Sequence, residues 1–113
     1  MIYLHKNSNM QFEEIPKALR ESGEKYAELL SAYEFLDSMT KNQKARLMND
    51  WEGTESSRER FAYSHPDYVL HLERVKLARH EALKMKSYID SLNALFELCR
   101  SKSATERAKL NLI

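Results

Sequence analysis

Trp51, Arg58, Arg60 and Tyr63 fall in one short stretch, WEGTESSRERFAY, and the periodic segment that follows carries Arg74, Lys76, Arg79, Lys84 and Lys86. These residue types can capture a polyanion. Guanidinium and ammonium groups neutralise phosphates and release condensed counterions, while aromatic faces stack on unpaired bases. His80 adds to the basic strip, and Arg100, Lys102, Arg107 and Lys109 continue it. The same cations also suit the solvated flanks of paired helices, and the rings, with Phe61 and Tyr68, can equally plug the end of a helical bundle.

Catalysis has no comparable signal. His5, His65, His71 and His80 offer no i,i+4 pair and no HExxH pattern, so a helical two-histidine metal site has no support. By register His71 faces the apolar side of its helix, where packing is its expected role. Cys99 falls on the same side and reads as a small buried thiol rather than a nucleophile. Glu13 with Glu14, and Asp50 with Glu52, are carboxylates in charge-rich surroundings and read as solvated. Gly23 and Gly53 cannot build a GxGxxG or Walker-type phosphate loop. The expectation is a non-enzymatic protein with neither metal nor cofactor.

The elements that must position these residues are helices. Val75, Ala78, Ala82, Met85, Ile89, Leu92, Phe96 and Cys99 recur at alternating spacings of three and four, which makes one stripe along a helix suited to a left-handed pairing. Leu19, Ser22, Tyr26, Leu29, Tyr33, Leu36, Thr40, Gln43 and Leu47 repeat the rhythm earlier, although Ser22, Thr40 and Gln43 make that seam partly polar. Leu30, Phe35 and Met39 widen its apolar face. Pro16 suits a first helical turn, and Asn49, Asp50 and Gly53 signal a stop near Trp51. Ser56 with Glu59 fits a capping box, and Pro66 keeps His65 out of the helical region before a new helix begins. Ser103 with Glu106 either restarts a tail helix or lies within a continuing one.

The expected fold is all-α: two long helices joined by a short helical connector, with a coiled-coil-like seam, forming a helical hairpin or a bundle completed by oligomerisation. Its parts are an amino-terminal arm over 1–14, a helix over 15–51, a connector over 52–65, a long helix over 66–101 and a tail over 102–113. Two such helices enclose a thin core, so the second-helix seam is expected to serve a homo-oligomer, with a second chain covering Phe35, Leu83, Leu95 and Leu98.

Composition agrees with this architecture. Among 113 residues there are two Gly and two Pro, with 31% charged residues, which suits helices and argues against a turn-rich β fold. Net charge is only +1, yet residues 11–55 carry six basic against ten acidic side chains and residues 73–109 carry nine against five. The two halves are therefore complementary in sign. No apolar run approaches the roughly 18 residues of a membrane span, and MIYLHKNSNM lacks a signal-peptide pattern. A single cysteine forms no internal disulfide, so a cytoplasmic location is the expectation.

Three stretches, 56–62 (SSRERFA), 77–92 and 100–110, resemble small helical accessory proteins of bacteriophages, which are encoded near single-strand annealing or single-strand-binding proteins. The resemblance implies a recombination-mediator-like role in the host cell cytoplasm. Two functions are then expected as alternatives. One is binding of single-stranded DNA, or of its single-strand-binding or annealing protein, during recombination or replication. The other is a helical protein-interaction module, such as an inhibitor of a host defence or host enzyme.

Overall fold

The computed structural model describes residues 11–112, and among them the protein is all-α. Most of the arm expected over 1–14 lies outside the described residues, as does His5. The described chain opens with Gln11 extended and a 3-10 turn over Phe12–Glu14. Helix α1 follows over Ile15–Ser38, α2 over Thr40–Asn49, α3 over Glu55–Ser64 and α4 over Pro66–Asn111. Among the described residues no helix is long and apolar enough to cross a membrane. The chain divides into two compact units: one joins residues 11–26 to residues 84–112, and the other is Ala27–Leu83.

The helix expected over 15–51 is two segments. At Met39 the backbone N–H is shared between the carbonyls of Phe35 and Leu36, at 3.1 and 3.2 Å, and the Ser38 hydroxyl donates to the Phe35 carbonyl at 2.7 Å. Such back-bonding tightens a turn and bends a helix without ending it, and Gln43 N–H still reaches the Met39 carbonyl at 3.0 Å. The long helix differs at its other end. It continues through Ser103 and Glu106 to Asn111, because a serine inside an established helix need not act as a cap.

Burial follows the seam rhythm. Ile15 and Leu92 are completely buried, and Ser22, Leu47 and Ala82 nearly so. Every other seam position of α1, α2 and α4 is at least partly covered. On the α4 seam expected to serve an oligomer, Ala82 and Leu92 are buried and the other positions are partly covered within a single chain. What remains open are outer apolar side chains, including Phe35, Leu83 and Leu98.

The connector end of the second unit is tightly fixed. Helix α2 closes with Asp50 and Trp51 N–H groups on the carbonyls of Leu47 and Met48, at 3.1 and 3.3 Å. Gly53 has φ 148°, a conformation that L side chains rarely adopt, and it turns the chain into an extended Thr54. Thr54, rather than Ser56, is the cap of α3: its Oγ1 accepts from Ser57 N–H at 3.2 Å, and Ser57 Oγ donates back to the Thr54 carbonyl at 3.1 Å. The capping box expected from Ser56 and Glu59 does not form, since Ser56 is already in the first turn. His65 is extended before Pro66, as a residue preceding proline must tend to be. Its Nδ1 accepts from Asp67 N–H at 3.0 Å and so caps α4. That nitrogen is therefore an acceptor, and the 3.9 Å approach of Asp67 Oδ2 is no ion pair.

Candidate nucleic-acid interface

Alanine at position 62, fully buried, lets α3 lie against α2, and the larger side chains on either side form a ring cluster. Trp51 stacks on Phe61 with centroids 4.9 Å apart and planes 16° from parallel. Phe61 meets His65 edge-on at 5.4 Å, and Tyr63 meets Tyr68 edge-on at 5.5 Å. Each arrangement suits the quadrupoles of aromatic rings. Trp51 and Tyr63 nevertheless stay 47% and 48% exposed. Packing fixes these rings without covering them.

Two cations are bound into this end of the unit. Lys44 Nζ lies 4.7 Å from the Tyr63 ring centroid and 3.7 Å from Glu59 Oε1. Its pKa is raised above the ordinary lysine value, first by Tyr63 and then by Glu59, with burial opposing, so the ammonium stays charged. Arg58 has a different task. Its Nε donates to the Met48 carbonyl at 3.0 Å and its Nη2 to Asn49 Oδ1 at 3.1 Å. Arg58 therefore supports the last turn of α2 through two of its five N–H groups. Arg60, on the same short helix, is exposed.

The basic run on α4 is distributed around the helix by register. By register Arg74 flanks the seam, whereas Lys76 and Arg79 turn towards other sides of the helix. Lys76 borders an outward facet with Glu73, Leu77 and His80. Lys84 and Lys86 belong to the other unit. Arg74 instead meets residues that sequence reasoning had not grouped with it: Gln43, Arg46, Asp67, Leu70 and His71 line one hollow with it between α2 and α4. His71 Nε2 and Thr40 Oγ1 are 3.0 Å apart beside this hollow, in a hydrogen bond whose direction follows the histidine tautomer. The readable signal was the polar end of the first seam, since Thr40 and Gln43 need a polar counterpart across from them. Among the described residues no group of three His, Cys, Asp or Glu side chains comes together as a metal site.

No protein-family model matches this chain, and no curated protein or solved structure matches it.

Proposed function

We propose that the protein is a non-enzymatic accessory protein that binds single-stranded DNA, or its coating protein, in recombination or replication. The observation that carries this reading is the half-exposed state of Trp51 and Tyr63. A ring already held by stacking on Phe61, or edge-on by Tyr68, loses little freedom when a base stacks on its open side. Arg60 and the charged Lys44 supply cations on the same connector end, and such contacts release counterions from the nucleic-acid backbone. Trp51 is the only tryptophan, so its fluorescence reports this patch alone. Titration with a single-stranded thymidine oligonucleotide at low salt is expected to quench Trp51 and to weaken steeply as salt rises. Unchanged fluorescence and no anisotropy increase at micromolar protein would defeat the reading.

A second reading rests on a different observation. Val69, Leu72 and Leu77 are exposed on the side of α4 away from its seam, which favours the protein-interaction module. A homo-oligomer is a further use of such faces, and light scattering that finds only monomer at high concentration would remove it.

A further inference from the structure

Arg46 comes from α2 and Arg74 from α4, yet both line one hollow of about 220 Å³. Gln43 Oε1 accepts from Arg46 Nη2 at 2.6 Å, which holds one edge of that guanidinium and leaves its other N–H groups to point elsewhere. Arg74 makes no hydrogen bond or ion pair with the described residues. Leu70 forms an apolar wall, and the His71 ring, tied to Thr40, forms another. Asp67 is the only carboxylate among the lining residues, so two guanidiniums face one negative charge. This excess favours an anion. Planar forks arriving from two elements suit an oxyanion with several acceptor oxygens, because each can donate to it in parallel pairs.

We propose that this hollow, bounded by Gln43, Arg46, Asp67, Leu70, His71 and Arg74, is a seat for a phosphoryl group. The ligand is either a free phosphate or phosphomonoester, or a phosphodiester of a nucleic-acid backbone with its ester carbon against Leu70. By register Arg46 and Lys44 lie on opposite flanks of the α2 seam, so the seat is separate from the Trp51 and Tyr63 patch and stands without it.

The test titrates the whole chain calorimetrically with inorganic phosphate, then with a single-stranded thymidine oligonucleotide, at low salt. Arg74→Gln and Arg46→Gln are each expected to weaken binding about ten- to hundredfold, the loss typical of a hydrogen bond to a charged group. Lys41→Gln makes the same change in net charge on the outer side of α2 and is expected to leave affinity nearly unchanged. Asp67→Asn carries the opposite sign: removing the opposing carboxylate should tighten binding about threefold, which a merely structural residue would not do. Circular dichroism should show full helicity in each variant, since Arg74 holds nothing in the fold. Phosphate binding that the oligonucleotide does not displace identifies a free phosphate or monoester, and displacement identifies the backbone phosphodiester. The proposal is overturned if neither probe binds, or if Arg74→Gln and Arg46→Gln weaken binding no more than Lys41→Gln.

Discussion

The connector end of the second unit and the last turns of α4 are both helical, but different forces hold them. Around Leu47, Ala62 and Arg58 the helices are short, and the end of α2 is tied by Arg58 from α3. Residues 100–112 are exposed throughout, and the contacts there are local: Arg100 Nη2 donates to Glu97 Oε2 at 2.9 Å, and Thr105 Oγ1 donates to the Ser101 carbonyl at 3.0 Å. The first region is helical because of packing. The second is helical because Ala, Lys, Arg, Glu and Leu favour the conformation and an existing helix needs no new nucleus.

Truncating a leucine in each region should separate the two most widely. Leu47 is 3% exposed, so Leu47→Ala removes contacts that the surrounding helices cannot fully replace and should cost about 2–5 kcal/mol. Leu110 is 69% exposed, and Leu110→Ala should change stability by less than about 0.5 kcal/mol. Urea unfolding of both variants checks this. Equal losses would mean that the last turns are as deeply integrated as the connector.

The arginines give the next contrast. Arg58→Ala removes the bonds to the Met48 carbonyl and the Asn49 side chain, leaving that carbonyl the Trp51 N–H alone, and should cost about 1 kcal/mol, with amide exchange rising first at the end of α2. Arg100 is also paired, but both partners in its contact with Glu97 are mostly exposed. Water screens such a pair, and Arg100→Ala should fall within about 0.5 kcal/mol of the parent. A comparable loss at Arg100 would show that residue in some tertiary contact.

Much of this architecture was legible because helical seams have a short period. Ala78, Ala82 and Leu92 announce a buried stripe by spacing alone, and the pre-proline His65 announces a boundary by local sterics. What the chain conceals depends on meetings between distant segments or on a single backbone angle. The cap at Thr54 exists because Gly53 adopts positive φ, which leaves Ser56 inside the helix rather than before it. Arg58 looks like a surface cation until α3 folds back and brings it to the carbonyl of Met48. Arg46 resembled any solvated helix residue, and only the pairing of α2 with α4 places it beside Arg74. Nearness in sequence on a helix scatters side chains around it, so Arg74, Lys76, Arg79, Lys84 and Lys86 do not share one face by register.

The smallest expected effect compares the two glycines, and here the signs differ. Gly23 lies within α1, where an added Cβ meets nothing within 4 Å. Alanine there should stabilise the fold by about 1 kcal/mol, partly by restricting the unfolded chain. Gly53 stands at φ 148°, and an added Cβ would lie 2.5 Å from Ser57 Oγ, the hydroxyl that bonds back to Thr54. Gly53→Ala must therefore either strain the turn or displace part of the α3 cap, at a cost of about 1 kcal/mol or more. Thermal unfolding of the pair tests this as a difference of direction. A destabilised Gly23→Ala would place a neighbour against that face of α1, whereas an unaffected Gly53→Ala would show that the turn into Thr54 can form without positive φ.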